Sequence, residues 1–204
     1  MIELEKFDTL LEEFGYSSSW TVWSAPSNGN WKSKDSISDM TVFSNRNKLI
    51  NILNCNYIFV GLNPAAHDNA SYSCVAWGNF HSSDTRRSQD YKLRNALRET
   101  KYWGSFITDA YTEIVDTDSN SAMSKVTNEK TCESIEKILR IREILGGTAT
   151  IIAIGNKAFS VLKKRLPKDI ELKKITHYSS YVNIDDYRRM VLQQLDNDLP
   201  KGQR

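Results

Sequence analysis

The chain has 204 residues, 40% of them hydrophobic and 25% charged, with a formal net charge of +2. This is the balance of a globular protein able to bury a core, and one domain is expected over residues 1–204. No run of about 18 apolar residues is present, and the acidic start "MIELEKFDTLLEEF" lacks the basic-then-apolar order of a secretion signal, so no membrane span is expected and the location should be cytoplasmic. Cys55, Cys74 and Cys132 are widely spaced, without C-x-x-C and beside only three histidines. That pattern argues against a disulfide framework and a zinc site, and no metal and no cofactor are expected.

Residues 1–50 read as a helical and irregular lead-in; the stretch from Ser17 to Asn45 is rich in Ser, Asn and Trp, with Trp20, Trp23 and Trp31, and is expected to cover a sheet edge. From 51 to 198, apolar runs alternate with amphipathic stretches, the pattern of parallel strands covered by helices on both faces. Four strands are predicted: "YIFVGL" (57–62), "SFITDAY" (105–111), "TIIAIG" (150–155) and "ELKKITH" (171–177), rich in β-branched residues. Helices are predicted in "DYKLRNALRET", "ESIEKILRIREIL", "NKAFSVLKKRL" and "DDYRRMVLQQL", each with apolar residues at helical spacing. "VDTDSNSAMSKVTNEK" (115–130) reads as a long loop, with Thr127 or Asn128 capping the helix that follows. The expected fold is therefore α/β: a three-layer α/β/α domain around a central, mainly parallel four-stranded sheet.

In an open parallel sheet, ligands collect beyond the carboxyl ends of the strands, where helix N-termini and loop backbones converge. Four polar segments fall there: Gly61 to Ala65, Thr108 to Tyr111, Gly155 to Lys157, and Thr176 to Tyr181. Taken singly, each has a plainer explanation, since an Asn before Pro is usually a turn residue and a His at a strand end a satisfied surface group. Together they define a candidate site. A small-molecule enzyme on a doubly wound fold is disfavoured, because it would need a phosphate loop and neither G-x-G-x-x-G nor a Walker-type lysine motif occurs.

"GLNPA" after the first core strand, "WGNFH" beyond it, "ITDAYTEIVD" at the next strand end, "IIAIGNKAFSVL" and finally "HYSSY" follow one another in the chain. In that order they resemble the motifs of the uracil-DNA glycosylase superfamily, nearest its mismatch-specific uracil/thymine branch. The resemblance spans roughly residues 57 to 198. It departs from the family pattern where Ala65 replaces a Gly, Tyr178 replaces a Pro, and Asp109 stands where uracil-specific members carry Asn.

The resemblance implies a uracil-DNA glycosylase-like fold and a monofunctional hydrolase that flips a nucleotide, cleaves its base–deoxyribose bond and leaves an abasic site. Asn63 would hold and orient a water through its side-chain carbonyl, and a neutral His177 would donate a hydrogen bond to the base O2 as negative charge develops. Gly61, Leu62 and Ala65 would frame the base and Phe80 would stack on it, with Tyr111 and Trp77 as rivals and a core role open for all three. Uracil-specific members place a bulky Tyr where Ala65 stands, so a group on C5 would not clash here. Asp109, if it reads the Watson–Crick edge, accepts from the amino group of cytosine and is repelled by O4 of uracil; its alternative is a helix cap or a loop ion pair. A one-residue slip to Thr108 or Ala110 would remove that preference. A 5-modified cytosine is thus favoured over plain uracil. Such bases occur in the DNA of some bacterial viruses, which suggests antiviral defence.

The expected partner is DNA, as a duplex with a flipped nucleotide or as a single strand, bound by a monomer that engages no membrane. Tyr181 would wedge into the duplex, Ser179 would contact phosphates, and Arg86, Arg87 and Lys157 would supply charge, as would Arg188 and Arg189, against the plainer reading of solvated helix faces. Two alternatives stay open: a uracil/thymine-mismatch glycosylase of base-excision repair, and a non-catalytic DNA-binding protein of the same fold.

Overall fold

The computed structural model describes residues 1–65, 75–81 and 88–196. α1 (Leu4–Phe14) buries Phe7 and Leu10, one helical turn apart. β1 (Ser18–Trp20) follows, then a 3-10 turn (Met40–Phe43) and α2 (Arg46–Ile52). The last two are capped by Asp39 and Asn45, whose side chains each accept a backbone N–H that would otherwise lack a partner. The remaining elements are β2 (Tyr57–Gly61), α3 (Asp90–Leu97), β3 (Phe106–Asp109), α4 (Ser119–Ser124), α5 (Asn128–Ile144), β4 (Thr150–Ile154), α6 (Asn156–Arg165), β5 (Leu172–Ile175) and α7 (Ile184–Asp196).

The sheet has five strands rather than the four predicted, in the order β1-β3-β2-β4-β5, all parallel except β1. The additional strand comes from the Trp-rich lead-in and runs antiparallel to β3, pairing Ser18 with Thr108 and Trp20 with Phe106. Its serines disguise it in the sequence. Ser18 donates to the Thr108 hydroxyl at 2.8 Å and Ser19 to the Trp77 carbonyl at 2.7 Å, so a polar strand is buried with its hydroxyls satisfied. The expected loop at 115–130 likewise contains α4, begun by Asp118, whose carboxylate accepts the amides of Asn120 and Ser121. Thr127 is the cap of α5, accepting from the Lys130 amide.

Alternation along the strands sorts the core into two layers. Ile58, Val60, Phe106, Ile151 and Ala153 pack with residues of α1, α5 and α6; Phe59, Ile107, Ile152, Ile154 and Ile175 pack with α3 and α7. Each such side chain contributes about 1.5–3 kcal/mol when fully buried. No helix among the described residues is long and apolar enough to cross a membrane. The chain leaves β2 toward β3 on one side, while the chain from β4 leaves toward β5 on the other. Such a reversal opens a crevice at the carboxyl ends of the central strands.

Candidate functional site

A cleft of about 490 Å³ occupies that crevice, within the range of about 300–1,000 Å³ usual for small-molecule sites. Leu62 to Ala65 line it from β2, Asp109 from β3, Ile154 to Ala158 from β4 and α6, and His177 to Ser179 from β5. Asn63 and His177, far apart in the chain, therefore face one cavity.

Asn63 is held by its own turn. Its Nδ2 donates to the carbonyls of Pro64 at 3.0 Å and Asp116 at 2.8 Å. Both partners are acceptors, so the NH₂ end must face them and Oδ1 is the atom left for an occupant of the cleft. Pro64 keeps Asn63 out of a helical conformation, and its carbonyl also accepts the Asp116 amide at 3.1 Å. Asp116 is anchored in turn by Lys125 at 2.7 Å, Ser121 at 2.6 Å and the Asp118 amide at 2.9 Å. Those hydrogen bonds hold its carboxyl well below the usual carboxylate range.

The protonation of His177 follows from its neighbours. The Ser179 amide donates to Nδ1 at 3.1 Å, and the Ser179 hydroxyl lies 2.8 Å from the same atom. An amide can only donate, so Nδ1 is an acceptor and Nε2 carries the hydrogen of a neutral ring. Burial reinforces this by lowering the His177 pKa to about 4. Gly155 makes room for the ring: it sits at φ +89°, and a Cβ there would meet the Cβ of His177 at 3.3 Å. Tyr178 stacks on the imidazole with ring centroids 4.4 Å apart. The loop is tied to α3 by Lys92, whose ammonium donates to the carbonyls of Ser180 and Val182 at 3.0 and 2.9 Å.

The β3 side of the cleft carries Asp109, 3% exposed, whose burial pushes its carboxyl up to about 6. Asn79 donates to its Oδ2 at 3.1 Å, and among the described residues Asp109 caps no helix and forms no salt bridge within 4 Å. Lys137, half-buried, donates from its ammonium to the main-chain carbonyl of Asp109 at 2.6 Å. The neighbours differ: Thr108 bonds β1, and Ala110 lies in the core. Gly61 is required beside Asp109, because a Cβ on it would collide with Oδ1.

Phe80 lines the cleft at φ +66°, a region costly for a bulky residue. Two hydrogen bonds keep it there, from its amide to Asn79 Oδ1 at 3.1 Å and from Trp23 Nε1 to its carbonyl at 3.2 Å. Phe80 also packs in the core layer of α3 and α7, yet of the three it is the one that lines the cleft: Trp77 packs on Phe7, Trp20 and Phe106, and Tyr111 bonds Thr131. His81, in the same "WGNFH" segment, is buried against Ser19, and desolvation lowers its pKa to about 3.

The expected DNA contacts divide. Lys157 lines the cleft and donates to Ser119 and Asn120 at 2.7 and 2.6 Å. Ser179 lines it too, but its amide and hydroxyl are placed on His177. Tyr181 is fully exposed, outside the cleft lining. Arg86 and Arg87 lie outside the described residues. Arg188 is no phosphate ligand here: it donates to the carbonyls of Asn95, Ala96 and Arg98 near the end of α3. Arg189 pairs with Asp186.

Sequence reasoning passed over Asn79, Asp116 and Lys92. Asn79 was visible inside "WGNFH", whereas Asp116 resembled one more loop acid and Lys92 a solvated helix residue. Among the described residues, no group of three or more His, Cys, Asp or Glu side chains converges as a metal site would require. The arrangement offers a fixed acceptor at Asn63, a fixed donor at His177, a buried carboxyl at Asp109 and an aromatic face at Phe80. Comparison with known proteins found no matching family model and no matching curated protein.

Proposed function

We propose that the chain is a DNA base glycosylase of the uracil-DNA glycosylase superfamily, which draws a flipped nucleotide into this cleft and hydrolyses its N-glycosidic bond. The observation that carries the proposal is the pair of fixed polarities in one cavity: Oδ1 of Asn63 accepting and Nε2–H of His177 donating. Departure of the base leaves positive charge on the sugar and negative charge on the base. An acceptor that holds water serves the first, and a neutral donor at the base O2 serves the second.

A 5-modified cytosine is the favoured substrate. Asp109 supplies an acceptor for the exocyclic amino group, and Phe80 a face for the ring. Ala65 puts no bulk beside C5, and the same cleft is lined by Asp116, Thr117, Ser119 and Lys157, polar partners for a C5 substituent. Since such bases occur in some viral DNA, we place the activity in defence rather than housekeeping repair.

The test incubates purified protein with oligonucleotides bearing uracil, a thymine mismatch, 5-methylcytosine, 5-hydroxymethylcytosine or its glucosylated form, and counts alkali-labile breaks. Breaks at modified cytosines are expected. Cleavage of uracil alone would replace this substrate by that of a repair enzyme, and no cleavage of any base would leave a DNA-binding protein.

A further inference from the structure

We infer that Asp109 is the proton donor to the departing base, delivering its carboxylic hydrogen to N3 of a cytosine as the glycosidic bond breaks; this rests on the glycosylase reading above. Three features of the site support the assignment. The carboxyl lines the cleft while 3% exposed. Among the described residues its side chain accepts from the neutral amide of Asn79 on Oδ2, which leaves Oδ1 to hold a proton. The nearby cation, Lys137 from α5, spends its hydrogen bonds on the carbonyls of Asp109 and Ala110 and the hydroxyl of Thr112.

Complementarity then requires the neutral acid. Cytosine presents an acceptor at N3 beside a donor at N4, and a protonated carboxyl presents a donor beside an acceptor. An ionised Asp109 would satisfy N4 and confront the N3 lone pair with a second oxygen. The Oδ1–H bond breaks and N3–H forms while C1′–N1 breaks, its electron pair going to the base, which leaves neutral. Water held at Asn63 bonds C1′ and releases a proton to solvent, from which Asp109 is recharged. His177 donates to O2 throughout.

The charged and titratable groups around Asp109 define the pH window. Burial raises its pKa, the Asn79 hydrogen bond and Lys137 lower it, and Asp90 from α3 adds a smaller upward push, with the balance at about 6. His177, held near 4, stays neutral above pH 5, and Lys137 titrates near 8. Asp116 and Lys157 share the cleft, and the Asp116 carboxyl is ionised throughout. The active form of Asp109 is the protonated one, so activity is full below pH 6 and falls as pH rises through it.

Single-turnover cleavage of a 5-hydroxymethylcytosine oligonucleotide from pH 5 to 7.5 tests this. The expected rate falls toward tenfold per pH unit above about 6. Asp109→Asn keeps a donor and an acceptor but gives up no proton. It should retain affinity for the oligonucleotide, lose about 10²–10⁴-fold in rate and show a flattened profile. A wild-type rate that is level or rises with pH overturns the proton-donor role and leaves the glycosylase reading intact; so does an Asp109→Asn rate within a few-fold of wild type. Failure of the wild type to cleave any base overturns both. The wild-type profile decides the matter even if the variant does not fold.

Discussion

Asp109, Asn79 and Phe80, on the β3 side of the cleft, are at most 6% exposed and are tied together by hydrogen bonds from separate segments of chain. On the β5 side, His177 to Val182 form a single loop that includes the fully exposed Tyr181 and is pinned by one lysine. The contrast matches two different physical tasks. Reading the edge of a base demands polar groups already stripped of water and fixed in direction, because a buried donor or acceptor without its partner costs about 1–3 kcal/mol. Entering a duplex demands an exposed aromatic on a loop that can reach it.

If the chain is a base glycosylase as proposed, the largest effects should come from Asn63, beyond β2, and His177, beyond β5, which line one cavity. His177→Ala removes the donor proposed to stabilise the leaving base and should lower single-turnover cleavage by about 10²–10³-fold. Asn63→Ala removes the acceptor proposed to orient a water and should lower it by about 10²-fold. Neither should change affinity for an uncleaved duplex by more than about twofold, since both groups act on charge that develops during reaction. Equal losses of affinity and rate would show that these residues hold the fold or the DNA instead.

A smaller effect distinguishes the two sides by stability. Gly61→Ala drives a methyl group into Oδ1 of Asp109. Overpacking of this kind costs about 1–3 kcal/mol, and for a chain of this size each kcal/mol lowers Tm by about 2–4 °C. Differential scanning calorimetry should therefore show a lower Tm, and because Asp109 must shift, base selectivity should loosen with it. An unchanged Tm would mean that the β3 side is more pliant than its hydrogen bonds suggest.

Why some of this was legible in the sequence and some was not follows from distance along the chain. The four parallel strands announced themselves because β-branched runs and helical stripes are local patterns. Asn63 and His177 were legible because strand ends in a parallel sheet converge whatever their separation in sequence. β1 was hidden because "SSW" has no apolar alternation, and its burial depends on Thr108 and Trp77, remote partners that no local window contains. Phe80 could be named but not separated from Trp77 and Tyr111, because the choice turns on which ring reaches the cleft and which is packed against remote partners such as Phe7, Trp20 and Thr131. Arg188 looked like a solvated or DNA-facing charge, and only the packing of α7 on α3 turns it toward carbonyls of the 95–98 segment.

Lys92 sharpens the comparison from the β5 side with the smallest change. Its two hydrogen bonds run to carbonyls of a loop that also meets water, so Lys92→Met exposes those carbonyls to solvent rather than stranding them, and the net loss should lie near the lower end of the about 1.5–3 kcal/mol typical of hydrogen bonds to a charged group. That corresponds to roughly a tenfold effect on any step the loop governs. If Tyr181 is the wedge, duplex cleavage needs it held at the right height, whereas an unpaired target needs no wedge. The ratio of duplex to single-strand cleavage should therefore fall while single-strand cleavage is nearly preserved, as parallel rate measurements on matched oligonucleotides would show. A proportional loss on both would instead make Lys92 a positioner of His177, because the loop whose end it pins also carries the imidazole whose Nδ1 is fixed by Ser179.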